Sequence, residues 1–286
     1  MAVYKRGYDR YKGPITGRWS RLLVLPKYSW HRVLKQRLVV ILLMMAMFWP
    51  LGCVGFIYLS NHTELLLDFG SGMKEFLQIN GDFFLIFMKV QAFFPILISA
   101  IAGQKLIAPD LSNGALQLYF SRPLSRAEYV LARLLVLLGL LSLITWIPGI
   151  LLFSLQSGMA GWSWFAQNWG LGLGVFIGSL VWILLVSLIA LTCWAYIRWK
   201  IMAEALILGI YFVLHAVTTT VNVVLGVTWA SFFNPRQVID QIWNGLLGIT
   251  PESGPTVLGC WLAVVVMIAV LLMVLRRRLR PVEVIS

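Results

Sequence analysis

Six apolar runs, each about 20 residues or longer, alternate with short polar segments along this 286-residue chain and decide what it can become. They extend from Leu38 to about Ser60, Phe83 to Ile107, Ala127 to Gln156, Gly170 to Ile197, Ala203 to Gly226 and Thr256 to Leu275. A helix of roughly 20 mostly apolar residues crosses a bilayer because it satisfies its own backbone polar groups where no water can. Pro50 and Pro148 fall inside two of the runs, where membrane helices tolerate them as kinks. Only 12% of the residues are charged, against about a quarter in soluble domains, which excludes a soluble globular protein. The expected fold class is all-α: a polytopic membrane protein with six transmembrane helices.

Orientation follows from the basic residues. The first 37 positions hold ten Lys and Arg, the segment 105–133 holds four, Arg198 and Lys200 share another loop, and the C-terminal tail holds four. Of the 23 in the chain, only Lys74, Lys89 and Arg236 lie elsewhere. Such an excess marks the cytoplasmic side, so both termini are expected there, in keeping with an even number of spans. The net charge of +12 is thereby a matter of topology, and no nucleic-acid partner is implied. The chain divides into a basic N-terminal segment (1–37), a six-helix transmembrane domain (38–275) and a basic tail (276–286). The first 37 residues contain no apolar core of a cleavable signal peptide, and none is expected.

Nothing in the pattern gathers catalytic groups. His31, His62 and His215 lie in the tail, an outer loop and the fifth run, and Cys53, Cys193 and Cys260 all sit within apolar runs without metal-ligand spacing. No paired carboxylates fall within a span, and no Walker motif occurs. No enzyme activity, metal or bound cofactor is expected of this chain. Gly170, Gly172, Gly174 and Gly178 follow no strand and accompany no Lys, so they read as a helix-packing face. Met44, Met45 and Met47 point to different helix faces, which favours lipid or core packing over a metal pathway. Lys89 and Gln91 fall toward the outer end of the second run, where Lys89 can snorkel to the interface.

The polar island 105–133 is built with unusual care. Pro109-Asp110 can open a short helix, with Asp110 accepting from first-turn amides. Leu111, Ala115, Leu118 and Tyr119 then recur at helical spacing, and Gly114 permits close approach of a partner. The element breaks at Ser121-Arg122-Pro123. Ser125-Arg126-Ala127-Glu128 fits a capping box, so the third span starts rigidly. On this pattern a docking surface and a plain solvated connector both stay open.

From Ile98 to about Leu135 the sequence resembles the second cytoplasmic region of ABC-2 permeases, the membrane subunits of ATP-binding-cassette transporters. The resemblance rests on Asp110, Gly114-Ala115-Leu116, Ser121-Arg122-Pro123-Leu124-Ser125-Arg126 and Arg133. It departs from the usual pattern in Pro109-Asp110, where Glu is more common, and in the long basic N-terminus. It implies an ABC-2 permease fold (type V exporter-like) in a bacterial cytoplasmic (inner) membrane. It also implies a dimer with a second permease copy or paralogue, a separate ABC ATPase subunit that holds the ATP and Mg²⁺, and export of a substrate that the sequence does not name. The coupling surface toward the ATPase would comprise Asp110, Gly114, Leu116, Tyr119, Arg122, Pro123, Ser125, Arg126 and Glu128. A non-transporting scaffold that recruits a cytoplasmic partner is the alternative.

Three further stretches bear on that reading. Trp19 to Arg37 interleaves Trp19, Leu22, Tyr28, Trp30 and Val33 with Arg21, Lys27, Arg32 and Lys35, a composition suited to an anionic membrane surface. By resemblance it is also a connecting helix that touches the ATPase. In the fifth run His215, Thr218, Thr219 and Asn222 share one helix face, which suits either a translocation path or interhelical hydrogen bonds. Asn234-Pro235 starts a short amphipathic helix over 235–248. Its apolar stripe includes Val238, Ile242, Trp243 and Leu246, and by resemblance it is a re-entrant outer gate.

Overall fold

The computed structural model describes residues 18–62, 78–113, 125–197, 199–250 and 254–278. These are helical throughout, with no strand among them. Six helical spans are long and apolar enough to cross a membrane, which marks an integral membrane protein. The expected Gly114, Leu116, Tyr119, Arg122 and Pro123 lie outside the described residues.

The first helix, α1 (Arg18–Leu34), is amphipathic. Pro26, Ser29 and Val33 turn inward, while Lys27, His31 and Arg32 are exposed. The Trp30 ring lies against Gly139, where any Cβ would overlap it. The first span is α2 (Arg37–Asn61), whose inward stripe is Val39, Ala46, Pro50, Cys53 and Ile57. The second span is broken into α3 (Gly81–Gln91) and α4 (Phe93–Leu106), followed by the single turn α5 (Ala108–Ser112). The third is likewise two pieces, α6 (Arg126–Ser142) and α7 (Trp146–Ala160). The sequence reading had a tolerated kink at Pro148 and no interruption in the second run. Proline explains the breaks: Pro95 and Pro148 each lack an amide for the carbonyl four residues earlier, and their rings crowd it.

One side chain supplies the donors that two prolines remove. Pro50 leaves the Ala46 carbonyl without its helical donor, and Pro148 does the same to Ile144. The amide of Gln91, itself at the break before Pro95, donates to both, at 3.0 Å to Ala46 and 2.5 Å to Ile144. Gln91 is 2% exposed. The sequence reading placed it near the outer end of its span; it sits where the interrupted second and third spans meet the continuous first one.

Helix α8 (Trp162–Tyr196) is the central span. At 35 residues it is about 50 Å long, well beyond a hydrocarbon core of about 30 Å. It begins eight residues before the expected Gly170, because only Gly161, at φ +87°, separates it from α7. Its glycines admit close neighbours: a Cβ on Gly174 would lie 2.9 Å from the Leu246 carbonyl oxygen, and one on Gly178 2.7 Å from the Trp243 ring. Gly170 meets nothing.

The fifth span, α9 (Lys200–Leu225), stops at Gly226 in the left-handed conformation (φ +61°). The chain then turns back along it through a 3-10 helix (Trp229–Phe233) and rises again as α10 (Pro235–Leu246). The sixth span, α11 (Val257–Arg278), closes the bundle. Its Arg278 Nε donates to the Ala195 carbonyl near the C-terminus of α8, where such carbonyls need donors. The Lys- and Arg-bearing segments 18–37, 105–110, 126–133 and 276–278 gather at one end of the bundle, and α10 lies toward the other.

Candidate functional site

Two polar constellations stand out against the apolar bundle, one at each end. At the basic end, α5 is a single turn whose N-cap, Ile107, offers no side-chain bond. Asp110 does not serve that turn's amides, as the sequence had suggested. Its carboxylate points into the bundle, where Oδ2 accepts from the Tyr129 hydroxyl at 2.7 Å and pairs with the Arg133 guanidinium. The other arm of Arg133 donates to the Ser29 hydroxyl of α1. The guanidinium also stacks over the Tyr129 ring, 5.2 Å from its centroid.

All four groups are buried: Ser29 and Asp110 are 6% exposed, Arg133 3% and Tyr129 fully enclosed. An ion pair so placed contributes little net stability, but stranding either partner costs several kcal/mol. Its bonds join segments that are far apart in sequence. Through it α1, the end of the second span and the start of the third are held as one piece. Immediately before it stands the capping box expected at the start of α6. The Ser125 amide donates to Glu128 Oε2 at 2.8 Å, and the Glu128 amide donates to Ser125 Oγ at 3.2 Å. Ser125 and Arg126 are exposed beside it.

Ser29 and Tyr129 were not singled out in the sequence, and Arg133 was noted only as opening the span. An arginine seven residues into an apolar run signals a required partner. Nothing local says that the partner is Asp110, 23 positions away.

At the opposite end, the polar face of α9 meets the returning chain. Asn222 Nδ2 donates to Ser231 Oγ at 2.7 Å, and Gln237 Nε2 to Thr219 Oγ1 at 2.8 Å. Asn234, fully buried at the tip of the turn, donates to Thr218 Oγ1 at 2.9 Å and lies 3.1 Å from His215 Nδ1. Its own Oδ1 caps α10, accepting from the Arg236 and Gln237 amides. Thus His215, Thr218, Thr219 and Asn222 are brought together as interhelical hydrogen-bonding partners. They hold a hairpin that re-enters the bundle.

The apolar stripe of α10 faces α8, with Val238, Ile242 and Trp243 buried and Leu246 partly so. Trp243 Nε1 donates to the Gly178 carbonyl at 3.1 Å. The Arg236 guanidinium lies over both the Trp182 and Trp243 rings and holds Asp240 at 3.3 Å. Burial pushes the Asp240 carboxyl above its ordinary value, against the opposing pull of Arg236, Lys89 and His215.

No group of three or more His, Cys, Asp or Glu side chains gathers for a metal among the described residues. The three cysteines are separately buried free thiols. Neither a protein-family model nor a curated protein sequence matches the chain.

Proposed function

We propose that this chain is the membrane permease subunit of an ABC-2-type transporter, driven by a separate ATPase subunit and acting as an exporter. The observation that carries this reading is the buried Ser29–Arg133–Asp110–Tyr129 cluster. It ties a basic amphipathic helix and two spans together at the end expected to face the cytoplasm. Force delivered at Asp110 or at the start of α6 would enter that unit directly. The ends of the second and third spans would then move together. Both spans are interrupted at their middles, where a helix can bend, and both interruptions meet at Gln91. ATP and Mg²⁺ would be held by the partner, and a second permease copy or paralogue would complete the path. The hairpin headed by Asn234 would serve as the gate on the far side, with Val238, Ile242, Trp243 and Leu246 seated on the glycine face of α8.

The test is reconstitution of the full chain with candidate ABC ATPase subunits from the same source. ATP turnover is then measured for wild type and for Gly114→Trp, which adds bulk at the proposed contact. The expected result is a stable complex whose turnover falls several-fold in the variant. A chain that never co-assembles with an ATPase, or a variant with unchanged assembly and turnover, would overturn the coupling role.

A further inference from the structure

Asn234 heads the α10 hairpin with both ends of its side-chain amide committed. Its Oδ1 accepts from the Arg236 and Gln237 amides, which can only donate. The orientation of the group is thereby fixed, and Nδ2 must face α9. One Nδ2 hydrogen goes to Thr218 Oγ1 at 2.9 Å. That hydroxyl has spent its own hydrogen on carbonyls of the preceding turn, so it can only accept there. The other Nδ2 hydrogen meets His215 Nδ1 at 3.1 Å. A ring nitrogen that receives a donor carries no hydrogen of its own. The network therefore assigns the imidazole its state: Nδ1 bare, with the proton of the neutral ring on Nε2.

Protonation inverts that contact. An imidazolium has an N–H on both nitrogens, so a proton taken from water onto Nδ1 sets donor against donor, and the bond to Asn234 is lost. Asn234 is fully buried and cannot turn to water, and flipping its amide would break the cap of α10. The His215 side chain, by contrast, is exposed on α9. Histidine is also the side chain whose ordinary proton exchange falls between about pH 5 and 8. The charged groups around it are Arg236 and Asp240 on α10 and Lys89 on α3. Asp240 is close enough to attract a charged ring, and Arg236 and Lys89 act on the same carboxylate. The 3-10 helix and α8 contribute no charge, and Lys105, Lys200 and Glu204 lie at the far ends of α4 and α9. Tyr211, one turn away on α9, is a phenol and neutral across this range.

We propose that His215 and Asn234 form a proton-operated latch on the hairpin, closed while the imidazole is neutral and released when Nδ1 takes a proton. Acid then loosens the head of α10 from α9. The cap and the Thr218 bond remain, so the helix itself stays formed and the release is local. The latch concerns the hairpin's hold on the bundle. It stands whether or not the hairpin gates a transport path, and its failure would leave the transport reading untouched.

The experiment is hydrogen exchange of the purified full chain on either side of the histidine range, at about pH 5 and about pH 8. Rates are expressed as protection relative to the intrinsic exchange at each pH. In wild type, protection of the 3-10 helix and α10 should fall about tenfold in acid, while that of α8 holds. His215→Gln keeps an uncharged acceptor and should stay protected at both values. His215→Leu offers no acceptor and should show the acid level at both. Asp240 titrates on the same helix, so the fall must persist in Asp240→Asn. Nitrogen NMR of the histidine rings, with the His215 signal assigned by its loss in His215→Gln, reads the wild-type state directly. It should show Nδ1 bare at the higher pH. A protonated Nδ1 there, no fall in wild type, an equal fall in His215→Gln, or a fall that vanishes in Asp240→Asn would overturn the proposal.

Discussion

Gln91 shows how much a single polar side chain can decide inside an apolar bundle. Two helices give up a backbone donor, at Pro50 and Pro148, and one amide supplies both replacements. Replacing it with Leu keeps the bulk but strands two carbonyls where water cannot reach them. At about 1–3 kcal/mol per unmade bond, Gln91→Leu should destabilise the fold by about 2–6 kcal/mol, read as an earlier midpoint in detergent unfolding. The Asp110–Arg133 pair makes a different prediction because its partners are charges. Asp110→Leu or Arg133→Met alone should cost about 3–5 kcal/mol, whereas the double replacement should recover most of that loss. A double-mutant cycle on thermal midpoints measures the difference. If the double variant is as unstable as the sum of the singles, the pair is not the unit described.

Among the elements, the hairpin of the 3-10 helix and α10 depends most on a few bonds. Asn234 caps α10 and also tethers the turn to Thr218 and His215. Asn234→Ala should release both functions, while Asn234→Ser should restore the cap, worth about 1 kcal/mol, and not the tethers. Hydrogen exchange of the α10 amides should therefore rank wild type slowest, Ser intermediate and Ala fastest. Asp240 on the same helix predicts a pH dependence. Its carboxyl is raised in the folded state, so the fold holds that proton to higher pH than the unfolded chain does. Its contribution to stability is fully present below the ordinary carboxylate value and is lost as pH rises through the raised one. Asp240→Asn removes this loss, and its melting midpoint should exceed wild type increasingly as pH climbs out of the acidic range. These elements also mark what the sequence could disclose. The capping box at Ser125, the Asn234 cap, the stripe of α10 and the glycine face of α8 are local patterns, readable within a dozen residues. Gln91 joins carbonyls 45 and 53 positions away, and Arg133 reaches Ser29 across 104. No spacing rule encodes such meetings. The prolines announced defects in the spans, but only packing could say what repairs them.

For the whole molecule the decisive question is which end faces which side of the membrane. The bundle gathers its basic segments at one end, and that charge asymmetry orients a membrane protein by keeping Lys and Arg in the cytoplasm. The cysteines make a direct measurement convenient. Cys53 is 5% exposed, Cys193 7% and Cys260 not at all, and a buried thiol reacts poorly with a soluble reagent. Single cysteines placed on the surface should thus report against a quiet background, without first removing the native ones. Lys27 is exposed on α1 at the basic end, and Thr250 is exposed beyond α10 at the other. In sealed cells, a membrane-impermeant maleimide should label Thr250→Cys at once and Lys27→Cys only after permeabilisation. Opposite behaviour would invert the topology, placing the α10 hairpin in the cytoplasm and the Asp110–Arg133 cluster outside. That arrangement would leave the proposed cytoplasmic ATPase no access to the basic end of the bundle, so one labelling pattern decides whether the proposed coupling role can stand.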